Sequence, residues 1–158
     1  MLLGAFQWLE HSWLGTSVNN SLWAFAAIEA VHLLALAVIG GAVLIVDLRL
    51  LGFGLRRLPV AQLARDAEPW LRVSLLGMIL TGLPLMASLA ASKYYVNDAF
   101  WVKMLFLFLA IVYTFTVRRR VIYMDDGRIS PAVAKTVAIV SVLLWSGVGI
   151  AGRGIGFY

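Results

Sequence analysis

Residues 21–51 read SLWAFAAIEAVHLLALAVIGGAVLIVDLRLL. The stretch is apolar enough and long enough to cross a bilayer, for which a helix needs about 20 residues, yet it carries Glu29, His32 and Asp47. At about 100° per residue, Glu29 and Asp47 point the same way. His32 shares their broad face with Phe25, Leu36 and Gly40. An ionisable side chain deep in a membrane helix costs about 2.5–3.5 kcal/mol on insertion scales, so three on one face imply that this face looks into protein.

The rest of the chain belongs to the same solvent. Of 158 residues, 62% are hydrophobic and only 13% charged, outside the range of a water-soluble domain. Continuous apolar runs, in place of short alternating ones, predict helices and not a barrel. The net charge of +5 does not point to nucleic acid, because the basic residues sit beside hydrophobic runs, where orientation signals lie. Without cysteine, disulfides, iron–sulfur clusters, c-type haem attachment and thiolate metal sites are excluded. His11 and His32 are the two imidazoles. The N-terminal stretch lacks the basic start and small-residue cleavage site of a signal peptide and is expected to stay on the mature chain.

In chain order, residues 2–14 combine Leu2, Leu3, Phe6, Trp8, Leu9 and Trp13 with Gln7, Glu10 and His11, which predicts an interfacial helix too short to span. Asn20 or Ser21 caps a first span over 21–50. Pro59 opens a short surface helix ending near Glu68, and Pro69-Trp70 starts a second span over 69–92. Gly82 and Pro84 are expected to kink this span, and Ser74, Thr81, Ser88 and Ser92 give it a small polar face for helix contact. Asn97 or Asp98 caps a third span over 99–117, which Arg118-Arg119-Arg120 is expected to end abruptly. Asp125-Asp126-Gly127 makes a turn, and Ser130-Pro131 begins a fourth span over 131–151. The prediction is one all-α domain, a four-helix membrane bundle with an N-terminal interfacial helix.

Arg49, Arg56, Arg57 and Arg65 follow the first span, and Arg118, Arg119, Arg120 and Arg128 follow the third. By the positive-inside rule both connections are cytoplasmic and both termini face outward, to the periplasm for a bacterial inner membrane. At about 1.5 Å per residue, Glu29 then lies roughly 12 Å, His32 roughly 16 Å and Lys103 roughly 7 Å below the outer surface. Arg153 stands at the outer end of the fourth span.

His32 is the leading candidate site: a neutral imidazole has one free ring nitrogen, and an apolar bundle commonly houses haem iron. Gly40, Gly41, Gly77 and Gly82 leave room for a flat macrocycle, and Lys103 and Arg153 are cations suited to its propionates. The plainer alternative is a buried histidine bonded to Glu29 or a backbone carbonyl. Glu29 is expected to pair with Lys103, to orient His32, or to move protons to a quinol-like ligand. Asp47 and Arg49 read as a local ion pair anchoring the cytoplasmic boundary, and His11 as an interfacial side chain with a lesser claim to be a second axial ligand. The tryptophans and tyrosines near span ends form aromatic belts. Hydrolase and nucleotide-binding motifs are missing from the sequence.

The segments SLWAFAAIEAVHLLAL, VDLRLLG, Pro69-Trp70, FWVKM around Lys103 and the terminal WSGVGIAGRGIGF together resemble a family of small bacterial inner-membrane proteins of unknown function. The resemblance covers nearly the whole chain and implies a four-helix layout. A looser one is to four-helix cytochrome b membrane proteins and to the copper-resistance D group. Those carry several helix-borne histidines, whereas His32 alone lies well inside a span here. Two function classes follow as expectations: a haem b electron carrier between a membrane quinol and a periplasmic partner, or a non-catalytic membrane subunit or assembly factor holding partner helices through its buried charges. Copper or proton transport ranks third. A homo-oligomer is expected in either case, because the polar faces of the first two spans exceed what one small bundle encloses.

Overall fold

The computed structural model describes residues 2–54, 57–124 and 129–157, and among them all regular structure is helical. Four helices are long and apolar enough to cross a membrane, as the sequence predicts. Arg56, Arg128 and the turn expected at residues 125–127 lie outside the described residues.

The N-terminal segment is two helices, not one: α1 (Leu2–Glu10) and α2 (Trp13–Asn19). Ser12 makes the elbow by accepting the Gly15 N–H at 3.2 Å as the N-cap of α2. Gly15 is required there, since a methyl would stand 2.8 Å from the Ala87 carbonyl oxygen. The first span, α3 (Leu22–Leu51), starts at Ser21, whose side chain accepts the Ala24 N–H at 3.2 Å, and stops at Gly52 with φ of 90°, a left-handed cap that glycine adopts without penalty.

The second span departs from the sequence reading. No separate surface helix precedes Pro69; α4 runs unbroken over Val60–Ser88 with Pro69 and Pro84 inside it. Each proline removes one N–H donor; the carbonyl freed by Pro69, that of Arg65, belongs to an exposed residue. A π-helical turn, Ala90–Tyr94, follows. Asn97 caps α5 (Asp98–Tyr113) by accepting the Ala99 N–H at 2.9 Å. The three arginines do not end this span either: the chain passes through a π-helical turn, Thr114–Arg118, into α6 (Arg119–Tyr123). The wider turn presents both Thr114 and Arg118 to the interior, where both are buried. Ser130 caps α7 (Pro131–Gly154) through the Val133 N–H, and a 3-10 turn, Ile155–Phe157, closes the described chain.

α3 packs against α4 and α7, and α5 against α7. On α3 the core lies toward the arginine-rich end, although Leu85, Ala87, Phe100 and Ala151 of the other spans are buried toward the opposite one. Ile39, Ala42, Val43, Leu71 and Met78 form its centre, with Phe115 and Trp145 packed against it, and Val46, Leu63, Ala64 and Ile122 continue it. Toward the other end α3 is barely covered: none of its described side chains before Ile39 is buried. That half is closed from above by α1 and α2. Phe6 of α1 joins a ring cluster with Tyr95 and Phe100 at centroid separations of 5.4 and 6.4 Å. α2 lies along α4.

Candidate functional site

The ionisable face of α3 divides into two sites. At the arginine-rich end Asp47 is fully buried, and its partner is not Arg49. Arg118 Nε donates to Asp47 Oδ1 at 2.7 Å, Ser141 Oγ donates to Oδ2 at 2.5 Å, and a second Arg118 nitrogen donates to the Val43 carbonyl at 3.1 Å. Arg49 Nε turns instead to the Leu58 carbonyl at 3.0 Å. Residues two apart on a helix face different sides; the network formed in place of a local pair ties α3 to α7 and to the π-helical turn after α5. Beside it Trp145 Nε1 donates to Thr114 Oγ1 at 3.1 Å. The expected structural anchor is present with a different cation.

In the opposite half the groups are sparse. His32 is half-buried; its Nδ1 lies 2.8 Å from Thr81 Oγ1, and Thr81 donates to the Gly77 carbonyl of its own helix at 2.6 Å. Gly82 makes the approach of the ring to α4 feasible, since a methyl there would stand 3.2 Å from the ring Cε1. Lys103 reaches from α5 to within electrostatic range of His32. Its stem lies along Gly152 of α7, where an added methyl would meet Cε at 3.6 Å and Nζ at 3.8 Å. Among the described residues the ion pairs are Arg72–Glu68, Arg118–Asp47 and Arg119–Glu68, so Lys103 has no carboxylate partner there. The expected Glu29–Lys103 pair is not formed.

Glu29 is exposed on α3. Its charge acts on Tyr94, whose phenol burial pushes above the usual range and Glu29 pushes further. Gly40 is half-buried with open space where a Cβ would lie, and Gly41 likewise meets nothing within 4 Å. Arg153 is exposed, its guanidinium 5.4 Å from the centroid of the Phe157 ring. His11 is exposed and bonded through Nδ1 to the Gln7 carbonyl at 2.7 Å, with no hydrogen bond to His32. No group of three or more metal-ligating side chains occurs among the described residues.

Sequence reasoning places His32 and Lys103 in the same half of the bundle but misses Thr81 as the partner of His32, and Arg118 and Ser141 as partners of Asp47. In the sequence Thr81 is only one member of a small polar face. That face is used inside one chain: Ser74 and Ser88 are buried and bond carbonyls of their own helix, Trp70 at 2.6 Å and Leu85 at 2.8 Å. The sequence does hold a signal for Thr81, because a hydroxyl is the one small polar group on that helix near the predicted depth of His32.

Residues 5–158 match the model of a family of unknown function, DUF6644, and the chain belongs to that family. No curated protein and no solved structure matches it.

Proposed function

Taking membership of that family as the premise, we propose that the protein binds haem b through His32 and carries electrons between a membrane quinol and a partner on the outer side of a bacterial inner membrane, with both termini outside. The observation that supports this reading is a carboxylate-free Lys103 within electrostatic range of His32, in the half of the bundle where α3 buries none of its described side chains. A cation left without an anion in an apolar surround is costly unless a ligand supplies the anion. The donor set suits haem: one imidazole for iron, one ammonium for a propionate, and Arg153 exposed near the outer end for the other.

When bound, haem supplies a one-electron ferric–ferrous couple. His32 would hold the iron and Lys103 would meet a propionate, while Gly40 and Gly41 have open space where a side chain would lie. With His11 held at Gln7, a further imidazole for the iron would have to come from His32 of a second copy, in a homo-oligomer.

The test is the optical spectrum of protein purified after haem-replete expression. We expect a b-type spectrum, with reduced bands that tell six-coordinate from five-coordinate iron, and near-complete loss of the pigment in His32→Ala with retained helicity. A colourless wild-type preparation, or equal haem content in His32→Ala, overturns the proposal. A second reading, a non-catalytic subunit or assembly factor, is favoured by one observation: Glu29 is exposed on a membrane span with no ion-pair partner among the described residues. A cationic partner helix would neutralise it.

A further inference from the structure

The hydroxyl of Thr81 has one proton to give and two neighbours that could take it. The Gly77 carbonyl lies at 2.6 Å and can only accept; His32 Nδ1 lies at 2.8 Å and is donor or acceptor according to its tautomer. A third candidate acceptor, the Met78 carbonyl, is at 3.5 Å, too long to compete with Gly77. If His32 Nδ1 were unprotonated, Thr81 would have to turn its proton away from Gly77, and one short contact would become a repulsion between two lone pairs. With the proton on Nδ1 both contacts are satisfied: the imidazole donates to Thr81, and Thr81 donates to Gly77.

We infer that Thr81 is the positioning residue of the site: it holds neutral His32 as the Nδ1–H tautomer, so that the Nε2 lone pair is the atom His32 offers to a ligand. This inference deepens the haem reading and rests on it for the identity of that ligand, while the tautomer itself can be measured without haem. The arrangement has two further supports. Gly82 lets the ring lie close against α4, since an added methyl would stand 3.2 Å from Cε1 and 3.7 Å from Nδ1. The hydrogen bond joins α4 to α3 across 49 residues of sequence, so packing of the two helices sets the ring's position along with its proton. An imidazole that donates through one nitrogen is a better ligand through the other, and removing such an outer partner typically costs about 10–100-fold in metal affinity.

The experiment starts with the haem-free protein. His11 and His32 are its two histidines, so long-range proton–nitrogen NMR of a histidine-labelled sample in micelles, with His11→Gln to assign the signals, reads the tautomer directly. We expect wild-type His32 to carry its proton on Nδ1, Thr81→Ser to keep that signature, and Thr81→Val to lose it, moving toward the Nε2–H form. Wild-type His32 protonated on Nε2, or a Thr81→Val signature identical to wild type, overturns the inference. The wild-type measurement decides the first point even if Thr81→Val does not fold. On the loaded protein, Thr81→Val should weaken haem binding about 10–100-fold, with Thr81→Ser restoring it. Unchanged affinity in Thr81→Val overturns the positioning role. A protein that takes up no haem but shows the Nδ1–H tautomer removes the haem reading and leaves the assignment of the lone pair standing.

Discussion

The two ends of α3 carry similar residues and treat them in opposite ways. Asp47 is fully buried, and each of its carboxylate oxygens is met, one by Arg118 and one by Ser141. Toward the N-terminus, His32 has a single side-chain partner, Thr81, and Lys103 has no counter-ion among the described residues. Along α3 burial follows the same division, although Leu44, Ile45 and Leu48 on its outer side are exposed. Ile39, Val43 and Val46 are all but inaccessible, whereas Glu29, Ala30, Val31, Leu33 and Leu34 are exposed. A closed buried ion pair with additional hydrogen bonds is suited to fixing which helices meet, more than to adding stability. The other end keeps polar atoms with unused capacity, the condition for binding something.

The largest expected effect comes from breaking the closed end. Arg118→Met leaves Asp47 buried without its cation, which should cost about 3–5 kcal/mol, read as a fall in the denaturant or thermal midpoint in detergent. Replacing both partners, Asp47→Leu with Arg118→Met, should recover most of that loss, because the penalty lies in the orphaned charge. A single variant as stable as wild type would remove the contrast between the two ends.

The same substitution at the other end should act in the opposite sense. Lys103→Met removes an ammonium that has no carboxylate to orphan and puts an apolar chain against Gly152. The unfolding midpoint of the ligand-free protein should stay within about 0.5 kcal/mol of wild type or rise, while haem retention falls. A loss of stability comparable to Arg118→Met would mean that Lys103 is a structural partner, and that the open end has no more spare polar capacity than the closed one.

How much of this can be read in the sequence differs between the two ends as well. The four spans follow from apolar run length, and Ser21, Asn97 and Ser130 cap helices as their chemistry dictates, because these are local properties. The boundaries expected at Pro69 and at the three arginines differ from those observed for a tertiary reason. Arg118 stays helical because it reaches a carboxylate 71 residues away, and a span beginning at Val60 keeps Leu63 and Ala64 in the core. The Asp47–Arg49 pairing does not form because adjacency in sequence is a poorer guide than depth: Asp47 and Arg118 meet at one level of the bundle. Depth alone still misassigns Lys103: it suggests Glu29 as the partner, and that pair does not form. It does not reach Thr81, since which face of α4 meets α3 is decided by packing.

The smallest expected effect tests how the open end is roofed. Glu10, at the end of α1, accepts the backbone N–H groups of Ala91 and Ser92 at 2.6 and 2.9 Å, tying α1 to the turn after α4. Burial alone would raise this carboxyl, but the bonds from Ser92 and Ala91, helped by nearby His11, prevail and hold it below the usual carboxylate range. A group whose folded pKa is depressed contributes stability that is present above its unfolded pKa and is lost as pH falls through the folded one. The tie should therefore hold at neutral pH and down to the ordinary carboxylate range, and weaken only below it. The amide signals of Ala91 and Ser92 report this directly: in a pH titration they should move together, with a midpoint below the ordinary, unperturbed value for a glutamate. In Glu10→Gln both signals should stop responding to pH, and hydrogen exchange across residues 2–10 should quicken at neutral pH. A midpoint at or above that unperturbed value would mean that Glu10 is solvated and that α1 rests on the bundle through Phe6 and its ring contacts alone. Unchanged exchange in Glu10→Gln with a depressed wild-type midpoint would separate the two supports, leaving the hydrogen bonds real and the aromatic cluster sufficient to hold the roof.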